Sequence, residues 1–159
     1  MALRSIFKIG IIGMFGTILS CTLLSAGLAQ SVNHKITLED RVKPDPLVLR
    51  GTTGGEIRAA ERVNTEGTNT GFCNGFIDEK PNYILVLTNF FEFLKIEVDS
   101  QTDTTIIIRG PGGVWCNDDS NNANPAIEGQ WQPGKYQIWI GSYQENTNNN
   151  YRLKITDNN

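Results

Sequence analysis

One short stretch of the chain concentrates side-chain oxygens of the kind that bind hard metal ions. It holds two carboxylates and four carboxamides: Asn117, Asp118, Asp119, Asn121, Asn122 and Asn124. Calcium takes about six to eight oxygen ligands in a flexible arrangement, so we expect a calcium site centred on Asp118 and Asp119. The expected ligands are Asp103, from a neighbouring strand, Asn117, Asp118, Asp119 and Asn124. The alternative is that these side chains only stabilise turns by bonding to nearby backbone.

The three tryptophans, Trp115, Trp131 and Trp139, suggest a second kind of binding. An exposed aromatic ring can stack on a sugar ring while nearby Asn and Asp side chains bond to its hydroxyls. Trp139 alternates with Ile138 and Ile140, which predicts that it lies on the outer face of its strand. Trp115 and Trp139 are therefore the candidate ligand-binding residues. The alternative is that the tryptophans pack in the core, as large aromatic side chains do in small β domains.

Hydrolytic catalysis has little support in the residue types. His34 is the only histidine, and a Ser-His-Asp arrangement would have to depend on this residue outside the predicted core. The adjacent Asp118 and Asp119 are poorly placed to face each other across a glycosidic bond, at the separation of about 5 to 9 Å that two catalytic carboxylates need. We therefore predict no catalytic residues and a protein that is not an enzyme.

The cysteines predict a disulfide. Cys21 lies in a segment that we expect to be removed, so Cys73 and Cys116 remain as a pair. In an oxidising compartment such a pair is most simply bonded. By closing the loop between the two cysteines, the bridge would contribute about 4 kcal/mol to the stability of the fold. The alternative is a reactive or metal-binding thiol, but two cysteines with no nearby histidine make a poor zinc site, and a nucleophilic cysteine would need a base that the sequence hardly supplies.

Residues 1–29 have the three parts of a secretory signal peptide. Arg4 and Lys8 give a positive start, a long apolar run follows, and Gly27 and Ala29 are the small residues expected before a cleavage site. We predict cleavage after Ala29 and a secreted or periplasmic product.

Two alternatives to cleavage after Ala29 stay open. An uncleaved transmembrane anchor is one, because about 20 apolar residues can span a bilayer. Lipidation of Cys21 is the other, since Ile18-Leu19-Ser20-Cys21 loosely matches a lipoprotein cleavage site.

Charge narrows the range of partners. The whole sequence carries a net charge of −3, and loss of Arg4 and Lys8 would make the mature chain more acidic. An acidic chain lacks the positive surface that binds nucleic acid or an anionic membrane. We therefore expect no nucleic-acid partner and, after cleavage, no membrane partner.

The rest of the chain predicts short strands joined by turns. Residues 30–50 are polar and contain Pro44 and Pro46, which suits an extended lead-in that contributes little core. Residues 51–159 are predicted to form one domain. Its clearest signal is Leu94-Lys95-Ile96-Glu97-Val98-Asp99, where apolar and charged residues alternate as in a half-buried strand.

Further apolar or β-branched runs complete this domain. We predict strands at 56–63, 73–77, 83–88, 104–109, 114–116, 134–143 and 151–155. The strand at 83–88 is expected to be buried on both faces, and Gly110-Pro111-Gly112-Gly113 to form a hairpin turn. The fold class is all-β, an antiparallel β-sandwich or jelly roll of about eight strands.

An ordered series of motifs resembles a known group of domains. The series is Asp103-Thr104-Thr105, Gly110-Pro111-Gly112-Gly113, Trp115-Cys116-Asn117-Asp118-Asp119, Asn124-Pro125 and Trp139-Ile140-Gly141. It resembles the bacterial pre-peptidase C-terminal domain group, and more closely a set of small secreted relatives of that group. Two positions depart from the pattern: Asn117 stands where Asp is usual, and Gly112 replaces a common acid.

The resemblance implies a β-sandwich that accompanies secreted peptidases, binds calcium in some members and has no catalytic activity of its own. We therefore predict a secreted non-catalytic accessory or binding domain of pre-peptidase C-terminal type, stabilised by calcium. The alternative is a carbohydrate-binding module that uses exposed tryptophan and the Asp/Asn loop. The partner would be an extracellular protein or a polysaccharide.

Overall fold

The structure, a computed structural model, describes residues 34–158, and these residues are almost entirely strands and turns. The predicted signal peptide, its cleavage site and Cys21 lie outside the described residues. The strands are β1 (His34–Leu38), β2 (Leu47–Thr52), β3 (Ile57–Arg58), β4 (Gly67–Thr68), β5 (Gly71–Phe72), β6 (Phe76–Ile77), β7 (Tyr83–Leu87), β8 (Phe91–Ser100), β9 (Thr104–Gly110), β10 (Gly113–Asn117), β11 (Ala126–Trp131), β12 (Gly134–Ser142) and β13 (Asn150–Thr156). One short helix, α1, runs from Ala59 to Val63.

The larger sheet is built around β12. This strand pairs antiparallel with β7 on one edge and with β9 on the other, so that Ile138 lies between Tyr83 and Ile108. The sheet continues from β9 to β10 through the predicted hairpin, and from β7 to β1, which runs parallel to it. The short strand β6 pairs with the end of β12 at Ser142, and β3 pairs with β6.

The smaller sheet has the order β11-β8-β13-β2 and is antiparallel throughout. Its charged outer face and apolar inner face follow from the alternation in β8. Leu94, Ile96 and Val98 are buried, and they pack against Leu153 and Ile155 of β13 and against the inner face of the larger sheet. The predicted half-buried strand and the predicted all-β sandwich are confirmed.

A second core lies on the opposite face of the larger sheet. Residues 57–77, here called the covering segment, begin with β3 and end with β6, two short strands of the larger sheet. Between them, α1, β4 and β5 lie over the outer side of β9, β10 and β12. This second core joins the covering segment to the sheet through Ala59, Ala60, Val63, Cys73, Ile77, Ile107, Cys116 and Trp139. The continuous apolar run of β9 is explained by this arrangement, because both faces of that strand are buried.

The structure corrects several sequence-based expectations. Residues 34–52 are not a lead-in outside the core: β1 and β2 belong to the two sheets, and Leu38 and Val42 are buried in the sandwich. The predicted strand at 56–63 is a two-residue strand followed by α1, because Ala59, Ala60 and Val63 lie at helical spacing against the second core. β11 was not predicted, because its Gly129 and polar residues obscure the alternation.

Other differences concern strand number and exposure. Residues 34–158 contain thirteen strands, four of them only two residues long, where about eight were expected. β7 alternates between buried and half-buried residues and is therefore not buried equally on both faces. Within the described part of the chain, no helix has the length and apolar character needed to cross a membrane.

Candidate functional site

A depression with acidic lining lies where the covering segment meets the loops that follow β10 and precede β9. Its volume is 710 Å³, and we call it the acidic depression. It is lined by Thr70, Gly71, Phe72, Asn74, Asp103, Asn117, Asp118, Asp119 and Tyr143. The structure therefore brings together four of the five predicted calcium ligands. Among the described residues, neither lysine nor arginine lines this depression.

The carboxylates of the acidic depression are close enough to influence one another. Partial burial raises the pKa of Asp103, and the negative charges of Asp119 and Asp118 raise that pKa further. Asp118 is only 9% exposed, and its Oδ2 accepts a hydrogen bond of 2.6 Å from Nδ2 of Asn74. The depression is therefore a site of unbalanced negative charge, which a cation would relieve.

Two predicted ligands have structural roles. The side chain of Asn117 is buried, donates to the carbonyl of Thr70 at 2.8 Å and accepts from the backbone N–H of Ala126 at 3.0 Å. Asn124 lies outside the depression, where its carboxamide exchanges two hydrogen bonds with the backbone of Ser100. Both side chains therefore have the backbone-bonding role that was the alternative to calcium binding, and Asn124 does not join the other four predicted ligands in the depression.

A preassembled metal site is not present in the described chain. Within residues 34–158, no three His, Cys, Asp or Glu side chains are grouped closely enough to hold an ion together. The carboxylates of Asp103, Asp118 and Asp119 share one depression without forming a closed cage. An ion bound here would therefore need water or carbonyl oxygens to complete its coordination.

The predicted disulfide is confirmed, and it fixes the acidic depression. Cys73 and Cys116 are bonded, with a Cα–Cα distance of 5.0 Å, and both are buried in the second core. The bridge joins the covering segment to β10, and the residues that follow its two cysteines, Asn74 and Asn117, both line the depression. The hydroxyl of Thr70 adds a bond of 2.8 Å to the carbonyl of Cys116. The depression is therefore held by a covalent link and not only by loop contacts.

The two tryptophans predicted as ligands lie on opposite faces of the larger sheet. Trp139 is fully buried in the second core, where its ring lies 5.6 Å from the guanidinium carbon of Arg62. The prediction that Trp139 faces solvent is therefore wrong, because the covering segment occupies the outer face of β12. Trp115 lies on the sandwich side, partly buried, and packs against the edge of the main core.

Trp115 forms the floor of a second concave site, which we call the aromatic groove. It has a volume of 320 Å³ and lies at the seam between β10, at the edge of the larger sheet, and β11, at the edge of the smaller one. It is lined by Thr70, Pro111, Gly112, Trp115, Ile127, Glu128, Gly129, Gln130, Trp131, Gln132 and Tyr136. Thr70 is the one residue that it shares with the acidic depression.

Two buried aromatic side chains hold Trp115 in place. The indole N–H of Trp131 donates to the carbonyl of Leu94 at 2.8 Å, and the hydroxyl of Tyr136 donates to the carbonyl of Gln132 at 2.8 Å. The ring centroids of Trp131 and Tyr136 lie 6.2 and 6.4 Å from that of Trp115. The ring of Trp115 therefore packs against two side chains that are themselves held by hydrogen bonds.

Comparison with known proteins gives similarities of two kinds, to a protein sequence and to solved structures. No protein-family model matches the chain. An uncharacterized protein of Synechococcus elongatus is 28% identical over 100 residues, which covers 57% of this chain and 74% of that protein. Among solved structures, the pre-peptidase C-terminal domain of a collagenase from Bacillus anthracis is similar with a TM-score of 0.47 and 12% sequence identity, covering 78% of this chain and 96% of that one. That domain belongs to the group that the motif series resembles.

Several residues of both sites were not predicted from the sequence. Asn74, Phe72 and Tyr143 join the acidic depression from segments distant in sequence, and Phe72 and Tyr143 stand exposed at its rim, at 66% and 50%. Gln130 and Gln132 join the aromatic groove from β11 and the turn after it. Of these residues, only Asn74 could have been predicted from the sequence. It follows Cys73, and a disulfide from Cys73 to Cys116 brings it close to Asp118.

Proposed function

We propose that the chain is a secreted, non-catalytic β-sandwich accessory or binding domain of pre-peptidase C-terminal type, stabilised by a calcium ion in the acidic depression. The observation that carries this proposal is the convergence of Asp103, Asp118 and Asp119 in one depression that no basic side chain of the described residues enters. The partner would be an extracellular protein or a polysaccharide.

Calcium would be held by the carboxylates of Asp103, Asp118 and Asp119, with water completing the coordination. Because the carboxylates are not preassembled, we expect weak binding, in the range of about 0.1 to 1 mM that is common for extracellular calcium modules. Asp118 accepts a hydrogen bond from Asn74 of the covering segment. A calcium ion that neutralised the carboxylates would therefore tighten the attachment of that segment to the sandwich.

Two further observations support the proposal. A buried disulfide fits an oxidising compartment outside the cytoplasm. The single histidine of the sequence, His34, lies exposed on β1 with its ring stacked 6.0 Å from that of Tyr83, and it lines neither the acidic depression nor the aromatic groove. A histidine in this position gives neither site a general base.

Thermal melting in calcium against melting in a chelator tests the calcium ion directly. We expect millimolar calcium to raise the Tm of protein produced from the full-length sequence, because a ligand that binds only the folded state stabilises it by mass action. Magnesium is expected to give a smaller increase, since it requires stricter octahedral geometry.

Matched variants separate a specific site from general screening of charge. Asp118→Asn with Asp119→Asn should abolish the calcium-dependent increase in Tm. Glu39→Gln with Glu79→Gln removes the same charge from exposed positions outside the depression and should leave the increase intact. An unmodified protein whose Tm does not respond to calcium would rule out the calcium part of the proposal.

The carbohydrate-binding alternative requires a different site from the one predicted from the sequence. Its version with Trp139 and the Asp/Asn loop does not fit the structure, because Trp139 is buried and Trp115 lies in a different concavity from the acidic residues. The aromatic groove is the feature that favours sugar binding.

A further inference from the structure

We propose that the aromatic groove binds the ring of a neutral sugar, stacked on Trp115. This inference goes beyond the proposed function, because it rests on a different site and on residues outside the acidic depression. The 320 Å³ of the groove lies at the small end of the range of about 300 to 1,000 Å³ that ligand sites occupy. That size suits one or two sugar rings.

The floor of the groove offers a single rigid aromatic surface. Trp131 and Tyr136 also line the groove, but both are buried, with ring centroids 5.0 Å apart, and both pack against Trp115. Only Trp115 of the three is partly exposed. A flat ring that binds here meets one apolar face whose orientation is already fixed, so little conformational entropy is lost on binding.

The rim supplies hydrogen-bonding groups of both kinds. The exposed side chains of Gln130 and Gln132 carry carboxamides, which both donate and accept. Gln130 is oriented by a bond of 3.1 Å from its Nε2 to the carboxylate of Glu92. Sugar hydroxyls also donate and accept, and they surround a ring whose faces are apolar. The distribution of polar and apolar groups in the groove therefore matches that of a sugar.

Charge favours a neutral ligand. Glu128 is the one ionisable acid or base that lines the groove within the described residues, Tyr136 being hydrogen-bonded and buried. The carboxylate of Glu128 lies 3.8 Å from the ammonium nitrogen of Lys95, which is shared with Glu97 and offsets the charge of Glu128 only in part. A polyanion would find no basic side chain lining the groove, and a strongly basic peptide would find only one carboxylate.

Two glycines keep the mouth of the groove open. Gly112 and Gly129 have φ angles of +91° and +146°, which side-chain-bearing residues rarely adopt. A Cβ atom at Gly129 would meet no atom within 4 Å, so the space above this residue is free. A Cβ atom at Gly112 would lie 3.7 Å from Cη2 of Trp115 and would extend over the edge of its ring.

A proline-rich peptide is the other ligand that aromatic grooves commonly bind, but this groove fits it less well. Such peptides dock on several exposed aromatic ridges that repeat along the groove. Here the three aromatic rings are packed against one another, and one partly exposed face results. The single platform with amide groups at its rim favours a sugar ring.

Isothermal titration calorimetry with defined oligosaccharides tests the proposal. The probes are cellohexaose, laminarihexaose, maltohexaose, mannohexaose and xylohexaose, with decaproline as the competing peptide. We expect at least one hexasaccharide to bind and to change the tryptophan emission, because the ring of Trp115 would become covered. Trp115→Ala should weaken that binding roughly tenfold or more. Phe90→Ala, which removes an exposed aromatic ring that does not line the groove, should leave the affinity unchanged.

Loss of binding in Trp115→Ala would be uninformative if that variant unfolded, so a second variant is needed. Gln132→Ala removes an exposed carboxamide from the rim without touching the core, and we expect it to weaken binding severalfold at unchanged Tm. The proposal is overturned if the unmodified protein binds none of the five hexasaccharides, if it binds decaproline instead, or if binding survives both groove variants at full affinity.

Discussion

Trp139 and Ile107 are cross-strand partners at the centre of the larger sheet, and both side chains lie on the face that is turned away from the sandwich. The neighbours of Trp139 on β12, Ile138 and Ile140, face the main core. The larger sheet therefore carries two cores, and residues 57–77 are a packed layer of the fold, not a surface loop. The acidic depression lies at one margin of this layer, so its shape depends on the second core.

Truncation of Trp139 should destabilise the protein strongly. Trp139→Ala would remove the largest side chain of the second core and is expected to lower the free energy of unfolding by about 3 to 5 kcal/mol. Trp139→Phe should cost much less, because Nε1 of Trp139 is buried without a hydrogen-bond partner in the described chain and its removal relieves that penalty. Urea denaturation of the two variants measures the difference. Equal losses would contradict this account of the indole nitrogen.

The strands were predictable wherever burial follows from alternation within one strand. Leu94, Ile96 and Val98 were assigned to the core correctly because the other face of β8 is partly exposed to solvent and carries charged residues. Trp139 shows the same alternation, yet its outer face is covered by a segment more than sixty residues earlier in the chain. Periodicity within a strand reports which residues share a face, but not what lies over that face.

The candidate calcium site was predictable in its carboxylates but not in its carboxamides. Asp103 and Asp118 were expected together, and the pairing of β9 with β10 brings them to one end of the sheet. Asn117 and Asn124 have the same ligand chemistry, but they bond to backbone groups of Thr70, Ala126 and Ser100. These partners are set by the tertiary fold, so residue type alone could not separate ligands from structural residues.

Removal of the disulfide should loosen the covering segment. Cys73→Ser with Cys116→Ser is expected to lower the free energy of unfolding by about 2 to 4 kcal/mol, because the bridge restricts the unfolded chain across 43 residues. Urea denaturation measures this loss, and a change in tryptophan emission that is absent from a Trp139→Phe background reports whether the second core opens. Dithiothreitol should reproduce the loss in the unmodified protein and add nothing in the double variant. A double variant that is as stable as the unmodified protein would contradict the stabilising role.

Neutralisation of Asp103 should stabilise the protein in the absence of calcium. Partial burial and the charges of Asp119 and Asp118 raise the pKa of Asp103, so its ionised form is disfavoured in the folded state. This cost is absent below the unfolded pKa of about 3.9 and fully present above the raised folded pKa. Asp103→Asn should therefore add a few tenths of a kcal/mol, about 0.3, near pH 7 and nothing near pH 3, since Asp103 is largely exposed and its charge is screened.

The same substitution elsewhere gives the control for Asp103. Asp99 forms ion pairs with Arg152 and Lys154, at 2.6 and 3.6 Å, so Asp99→Asn should destabilise the protein near neutral pH. Thermal melting of both variants in a chelator is the measurement. If both variants shift the Tm in the same direction, the ionised carboxylate of Asp103 does not carry the folded-state cost that burial and the charges of Asp119 and Asp118 imply.

Glu97 should contribute stability that disappears in acid. Partial burial of this carboxyl would raise its pKa, but hydrogen bonds and charges from Lys154 and Lys95 outweigh burial and lower the pKa. Its ammonium partners lie 3.1 Å away, Lys154 on the adjacent strand β13 and Lys95 two residues before it on β8. Because the folded pKa is depressed, the stabilisation is present above the unfolded pKa of about 4.3 and is lost as the pH falls through the folded pKa.

Glu97→Gln should therefore lower the free energy of unfolding by about 0.5 to 1 kcal/mol near pH 7 and have no effect near pH 2. A double-mutant cycle with Lys154→Met isolates the ion pair, because any general effect of either substitution cancels. We expect a coupling of about 0.5 kcal/mol that decreases with added salt, since both side chains are about one-third exposed. A coupling that persists unchanged in acid would mean that packing of the lysine stem against the sheet, and not the charge of Glu97, links these two strands.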